Sequence, residues 1–468
     1  MTTRPLAITA IAALLAACTP QYNLPPTEAP AGMVVTPVVK DWWKSFQDPV
    51  LDQAIAMAFA QSPTLEAAMA RVDASQARLG ASRSFLFPSF DAQAGAGRAR
   101  LSQDTNPPPT GPTTVYQAGL TASWEVDLWG RLRNEVAASR SDLLASTYAR
   151  DAVELELASQ VALTYFLIRS LDAQLDVARR TLESRVASYD LRLKRFSRGI
   201  TSELDVRQAE NELATARAAI PDIQDALSSA EGSFAALTGM SPRELVEGGV
   251  VRGKDIDVIP VPPALPEGMP SDLLLRRPDI QEAEQTLRAA QARIAGARAA
   301  YFPVIGLTGA YGGESLAFGD LFSGPARAWS FVGALTMPVF NSGRTAAQVD
   351  LATASERAAI AAYRNTVIQA FAETRSALTA TRQSSERVSA RQQSVSALRR
   401  AYRLANLRYD NGYSSYLDLL DAERQLFAAE LSVADAQRLQ LSAVVALYRA
   451  LGGGWVPPEP PPKPPAQQ

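Results

Sequence analysis

Apolar and polar positions follow two rhythms in this chain, and the two come round twice in the same order. Residues 50–86 are alanine-rich with apolar positions three to four apart, the period of a helix, interrupted at Pro63. The rhythm then shortens. Over 115–128, Ala118, Leu120, Ala122, Trp124, Val126 and Leu128 alternate with Gln117, Gly119, Thr121, Ser123, Glu125 and Asp127. Strict alternation makes a strand with one apolar and one polar face. A partner strand is expected over about 86–100, joined through Asn106-Pro-Pro-Pro-Thr-Gly. Trp124 and Trp129 suit the aromatic girdle of a membrane barrel; a soluble hairpin is the alternative. Alternation returns over about 302–313 and 329–340, around loops that hold glycine or proline.

After each strand pair a Gly-Arg opens a long helical stretch. Gly130-Arg131 leads into 131–196 and Gly343-Arg344 into 344–409, with no proline or internal glycine in either. Each is about 65 residues, or roughly 100 Å at ~1.5 Å per residue. Their distal ends carry the spacing of a coiled-coil seam. In the first it is Leu175, Leu182, Val186, Tyr189, Leu193 and Phe196; in the second, Val388, Val395, Leu398, Tyr402, Ala405 and Tyr409. Gly199 and Gly412 end the helices as left-handed caps. Ser202 restarts the first hairpin, with Asp205 in a capping-box position. Return helices are expected over 203–238 and 415–451.

The residues themselves repeat. PTLEAAMARVDASQARLGASRSFLFP (63–88) faces PDIQEAEQTLRAAQARIAGARAAYFP (278–303) without a gap. RFSRGITSELDVRQAENEL (195–213) faces RYDNGYSSYLDLLDAERQL (408–426), pairing Gly199 with Gly412, Asp205 with Asp418 and Glu210 with Glu423. The fold class is therefore mainly α with a β-barrel portion, in two tandem repeats, 50–239 and 278–452. The Gly- and Pro-rich linker 240–277 is expected to lie across the outside, and 453–468 forms a Pro-rich tail.

Arg4 followed by LAITAIAALLAAC makes 1–17 a secretory signal. Leu15-Ala16-Ala17-Cys18 looks like the lipobox of bacterial lipoproteins, which implies an acyl group on Cys18; an ordinary signal with a chance cysteine is the alternative. Residues 18–49 then read as a lipidated tether leading into an equatorial segment. Thr19 suggests outer-membrane sorting, since aspartate there is the usual inner-membrane retention signal. Cys18 is the single cysteine, so no intrachain disulfide forms.

Composition narrows the function further. The 468 residues carry a net charge of −2, which gives nucleic acid no reason to bind. There is no histidine, so Ser-His-Asp and Cys-His catalysis are excluded. A zinc or copper site has almost no ligands to draw on. No cofactor beyond the lipid on Cys18 is expected, and the protein is read as no enzyme.

Four amphipathic strands cannot close a barrel, and lipid forbids open sheet edges. Three copies supply 12 strands, an even number within the known range. Six long hairpins would then wall a tube on one side of the membrane. Four stretches carry a resemblance at this point: WWKSFQDPVLDQAI (42–55), SWEVDLWGRLR (123–133), ALPEGMPSDLLLRRPDIQEAE (264–284) and NGYSSYLDLLDAERQL (411–426). The chain resembles TolC-like outer-membrane efflux factors, and more narrowly the NodT-type lipoproteins that serve resistance–nodulation–division (RND) pumps. The resemblance implies a homotrimer with a 12-stranded transmembrane β-barrel in outer-membrane lipid, a periplasmic α-helical barrel and an equatorial belt. It also implies a periplasmic adaptor (membrane fusion protein) at the hairpin tips and an inner-membrane RND transporter that supplies energy.

The family closes its periplasmic end with inward-coiled hairpins and a ring of aspartates. The matching residues are Asp418 and Asp421, which threefold symmetry would stack as two rings. Crowded carboxylates attract cations and form an electrostatic gate; solvated surface acids are the alternative. Gln208 stands where the second repeat has Asp421. Asp205 and Tyr409 match the family's closing lock, but Ser414 occupies the place of an arginine that can complete it. Tyr409 also suits a coiled-coil core. The tips Arg198-Gly199-Ile200-Thr201 and Asn411-Gly412-Tyr413-Ser414 are the expected adaptor contacts, with a purely geometric turn as the alternative. Arg276-Arg277 reads as a structural ion-pair element.

A passive exit duct for small molecules, drugs among them, is the first functional reading. A duct for type I protein or peptide secretion is the second. A coiled-coil lipoprotein tether has no use for alternating strands. An outer-membrane hydrolase would have no histidine to draw on, with carboxylate-only catalysis by two acids as the alternative. Metal export draws no support from the residues.

Overall fold

The computed structural model describes residues 38–39, 41–100, 102, 104, 111–262 and 276–455. The expected signal 1–17, Cys18 with most of its tether, the hairpin loop at 106–110, residues 263–275 and most of the tail lie outside them. The elements in chain order are β1 (Val38–Val39), α1 (Pro49–Gln61), α2 (Pro63–Ser84), β2 (Ser89–Ala99), β3 (Thr113–Val126), α3 (Arg131–Ser197), α4 (Glu203–Thr238), α5 (Pro242–Gly248), α6 (Pro278–Ala299), β4 (Val304–Ser315), β5 (Arg327–Thr336), α7 (Arg344–Asp410), α8 (Tyr416–Ala450) and β6 (Gly454–Trp455). α3 and α7 are 67 residues each. The chain separates into two compact units, neither of which follows the repeat boundary. Among the described residues, one takes 70–148 with 281–365; the other takes 38–69, 149–262, 276–280 and 366–455.

The first unit holds a four-stranded antiparallel sheet in the order β2-β3-β4-β5. Its register puts Ala92, Leu120, Tyr311 and Trp329 in one row, and Phe90, Ala122, Gly309 and Phe331 in the next. Directly opposed residues share a face, so these rows build one apolar surface. Phe90, Leu120, Tyr311, Trp329, Phe331 and Leu335 on it are all exposed. The rows between them, such as Asp91-Thr121-Ala310-Ser330, are polar or small. Gly119 opposes Gly312, and a Cβ on either would strike the other strand's backbone, so neither position takes a side chain.

The strands differ from expectation at their ends, each for a local reason. β2 begins at Ser89, because Leu86 and Phe87 still bond back to Arg83 and Ser84 as the last turn of α2. β3 stops at Val126, where the Leu128 N–H donates to the Val126 carbonyl and the chain turns. β5 stops at Thr336, since Pro338 has no N–H to offer the ladder. The strand-to-helix turn is stapled by Glu125, which accepts two bonds from Arg131 at 3.0 and 2.6 Å. Asp127 accepts the Arg133 N–H at 2.9 Å, capping the first turn of α3. Trp129 stacks on Phe302 and donates to the Pro303 carbonyl at 2.8 Å.

The second unit has its core where α1, α3, α4 and α8 meet the 42–46 turn. Trp42, Phe46, Leu51, Ile55, Tyr165, Phe166, Phe234 and Val445 belong to one buried cluster. Within the linker Val250, Ile256 and Ile259 are buried in that same cluster, while Val251 and Val258 stay exposed at 66% and 61%. Asp48 fixes the linker. Its buried carboxylate accepts from Tyr165 Oη at 2.6 Å, Lys254 N at 3.1 Å and Val50 N at 3.0 Å. The Gly253 N–H donates to the same hydroxyl at 3.2 Å. Burial, with the neighbouring Asp48 carboxylate, pushes the Tyr165 hydroxyl well above the ordinary tyrosine range. Arg277 seals the end of α8: it donates to the Ala450 carbonyl at 2.9 Å and pairs with Asp279 and Glu373 at 2.7 and 2.8 Å.

Candidate functional site

Both hairpins turn by the same device. Gly199 has φ +72° and donates to the Phe196 carbonyl, while the Ile200 N–H reaches back to Arg195. Gly412 has φ +76° and donates to Tyr409, while the Tyr413 N–H reaches back to Arg408. This pattern satisfies the last carbonyls of each helix, and only glycine enters it without strain. The turns leave Arg198, Ile200, Asn411 and Tyr413 exposed and Thr201 and Ser414 half-buried. Ile200 and Tyr413 are 69% and 77% exposed, and Leu204 and Leu417, one turn on, are 65% and 59% exposed. Each tip therefore offers an unpartnered apolar pair.

The return helices start differently. Ser415 caps α8 in a full capping box, its hydroxyl accepting from Asp418 N and its N–H donating to Asp418 Oδ2 at 3.2 Å. Ser202 caps α4 with its hydroxyl alone, because Asp205 instead accepts a hydrogen bond from the Thr201 hydroxyl. Asp418 thus sits in the first turn of α8. Asp421, one turn along, accepts from Gln425 Nε2 at 2.6 Å. Both aspartates are exposed. Tyr409 lies against Tyr416, ring centroids 5.6 Å apart, beside Ala209 and Leu419. Among the described residues Tyr409 and Asp205 share no hydrogen bond within the chain. The Ser414 hydroxyl oxygen is buried and finds no partner there either.

The expected seams need one correction. In the second hairpin Val388 and Val395 are buried as expected. In the first, Val186, Leu193 and Phe196 are 37%, 45% and 41% exposed. The inward face lies one position away and carries Arg185 and Arg192, 5% and 3% exposed. A straight helix drifts from a seven-residue repeat, and a one-residue error swings the stripe by about 100°. Arg185 pairs with Glu423 of α8 and, at 3.6 Å, with Glu212 of α4. Glu212 also takes Arg424 at 2.5 Å. Burial draws the Arg185 guanidinium below its ordinary pKa, with Glu212 opposing. Arg192 stacks between the rings of Tyr409 and Tyr416, 4.5 and 4.7 Å from their centroids. The apolar count hid these residues; arginines seven apart beside a helical stripe were the available signal.

An exposed apolar sheet face and paired helical hairpins are the parts of a membrane channel. The chain belongs to the family described as Outer membrane efflux protein, which it matches over residues 54–240 and 269–453, one stretch for each repeat. It is an outer-membrane channel component of a Gram-negative efflux system. It is 34% identical over 414 residues to the solvent efflux pump outer membrane protein SrpC of Pseudomonas putida, covering 88% of this chain and 86% of that one. It is 32% identical to the cation efflux system protein CusC of Escherichia coli, covering 88% of each. The crystal structure of the Campylobacter jejuni CmeC outer membrane channel superposes with a TM-score of 0.88 at 27% identity, over 94% of this chain and 95% of that one.

Proposed function

We propose that three copies of this chain close a 12-stranded barrel and act as a passive exit duct for small molecules. The observation that carries this is the sheet. It has an exposed apolar face and two unpaired edges, β2 and β5, and no such sheet is stable in lipid until its edges are paired. An inner-membrane RND pump would supply the energy, and a periplasmic adaptor would dock on the tips at 198–201 and 411–414. The apolar pairs Ile200/Leu204 and Tyr413/Leu417 suit a partner hairpin there. Acyl chains on Cys18 would anchor each copy. Solvents and cations, for which two relatives are named, differ so much in chemistry that selection belongs to the pump and not the duct.

In this reading Asp418 and Asp421, repeated by threefold symmetry, form a cation-attracting constriction, and Asp205 with Tyr409 closes it between neighbouring hairpins. Their exposure in the single chain leaves the two aspartates free to face a symmetry axis. The test is single-channel recording of the purified acylated protein in planar bilayers, with trivalent cations as blockers. The wild type should give small, cation-selective steps that those ions block. Asp418→Ala with Asp421→Ala should enlarge the steps and weaken cation preference. Unchanged conductance and selectivity would remove the pair from the gate. Silence from both proteins would overturn the duct and favour a structural tether.

A further inference from the structure

We propose that the hairpin end of the sheet binds phosphorylated glycolipid of the outer leaflet, through Arg98 and Arg327 on the apolar face and the folded-back loop between β4 and β5. The proposal rests on the duct reading above, which turns the apolar face to lipid and the hairpin end to the outside.

The apolar rows continue past Leu120 toward the hairpins. The next is Ala94-Ala118-Gly313-Arg327, then Ala96-Tyr116-Ser315, then Arg98 with Thr114. Opposed residues share a face, so Arg98 and Arg327 stand on the side that carries Phe90, Leu120 and Trp329. Arg100 follows just past the end of β2. All three arginines are exposed, and none has a hydrogen bond or ion pair among the described residues. Glu314 opposes Gln117 on the polar face, which leaves Asp104 and Asp320 as the described acids of this end.

The loop joining β4 to β5 lies on the same side. A Cβ on Gly313 would strike the Leu321 carbonyl, so the loop backbone occupies the place of a side chain in the apolar row. Phe318 packs edge-on against Tyr116 of that face, ring centroids 5.6 Å apart. Leu321 is buried, while Leu316, Phe318 and Phe322 are exposed. Exposed apolar groups rimmed by charge mark a contact with a membrane or a partner.

The two halves of this surface select one occupant. A cation on the lipid-facing side costs most at the midplane and little near the interface. Lipid phosphate lies at that interface, and a guanidinium without a partner matches it by charge and by planar geometry. Free phosphate would satisfy the arginines but not Leu316, Phe318 and Phe322, so the ligand is an amphiphile. On the outer side of a Gram-negative outer membrane, glycolipid carries that phosphate. In the closed barrel β2 of one copy neighbours β5 of the next, so Arg98 and Arg327 of adjacent copies flank one seam.

The test titrates lipid A into the full-length acylated protein in neutral detergent and reads affinity from the shift in thermal midpoint. Phosphatidylcholine and phosphatidylglycerol are the neutral and anionic comparators. Lipid A should bind most tightly and phosphatidylcholine should leave the midpoint unmoved. Arg98→Ala with Arg327→Ala should weaken lipid A binding about 25-fold, roughly fivefold for each arginine at an anionic surface. Arg98→Lys with Arg327→Lys should keep most of the affinity. Phe322→Ser removes an apolar contact and should weaken binding roughly tenfold. All these side chains are exposed, so midpoints without lipid should match the wild type. Equal lipid A binding by the wild type and the double alanine variant would overturn the proposal. Phosphatidylglycerol binding as tight as lipid A would overturn the glycolipid assignment. A double alanine variant that is already destabilised without lipid would assign the arginines to the fold and also overturn it. Single-channel recording of the same proteins separates the two readings. Proteins that conduct but ignore lipid A would sink the rim site and leave the duct intact. Silence from every protein would sink the duct, and the rim site with it.

Discussion

Tyr165→Phe removes one oxygen from the centre of the second unit and should loosen the segment that follows α5. The hydroxyl donates to the buried Asp48 carboxylate at 2.6 Å and accepts from Gly253 N at 3.2 Å. Without it Asp48 keeps Val50 N and Lys254 N, but the Gly253 N–H is left unpaired. A hydrogen bond to a charged group contributes about 1.5–3 kcal/mol. Each ~1.4 kcal/mol is a factor of ten, so local opening should become roughly ten- to a hundredfold more frequent. Hydrogen exchange read by mass spectrometry on peptides covering 250–262 measures this directly. Peptides from the middle of α7 serve as the internal reference. Faster exchange confined to 250–262 is the expected result. An unchanged rate there would refute the assignment of Asp48 and Tyr165 as the anchor of the linker. The same hydroxyl has a pH signature. Its pKa is raised on folding, so its contribution is complete below pH ~10, where free tyrosine begins to ionise. The stability gap between wild type and Tyr165→Phe in guanidinium unfolding should be flat up to that point. It should narrow as pH climbs toward the native value.

Two further outcomes follow from other parts of the chain. Gly312→Val puts a side chain where the backbone of Ala118 and Gly119 already lies, so β3 and β4 must separate locally. Overpacking costs about 1–3 kcal/mol, and the thermal midpoint in detergent should fall; an unshifted midpoint would show that the strands part without cost. Cys18→Ser should abolish incorporation of labelled palmitate into the protein, and label in both proteins would rule out acylation at that residue.

How much of this was legible in the sequence varies with the physics involved. The strands and long helices were, because alternation at 115–128 and the unbroken 131–196 and 344–409 stretches each have a single regular solution. Strand ends shifted by a few residues, since Pro338 and the staples from Glu125 and Asp127 decide them locally. The tips were legible in Gly199 and Gly412, where a positive φ leaves little choice. The fuller box at Ser415 was harder to see, because Asp205 spends its carboxylate on Thr201 and Asp418 does not. Burial of Val250, Ile256 and Ile259 could not be read from composition, since Gly- and Pro-rich segments lie inside or outside according to what they meet. The arginine seam was missed for a related reason. An apolar count has no means of recognising a buried cation whose partners stand on other helices.

The pairing of β3 with β4 has a consequence in time. It joins Thr113–Val126 to Val304–Ser315, two stretches separated by roughly 180 residues of chain. A chain emerging at ~5–20 residues per second delivers the second stretch roughly ten to forty seconds after the first. Until then β3 has one neighbour, and its other edge, with Leu120 and Trp124 beside it, is open to any strand that passes. Such edges are templates for aggregation. Synthesis and export therefore leave one edge of β3 open until the second repeat arrives to cover it.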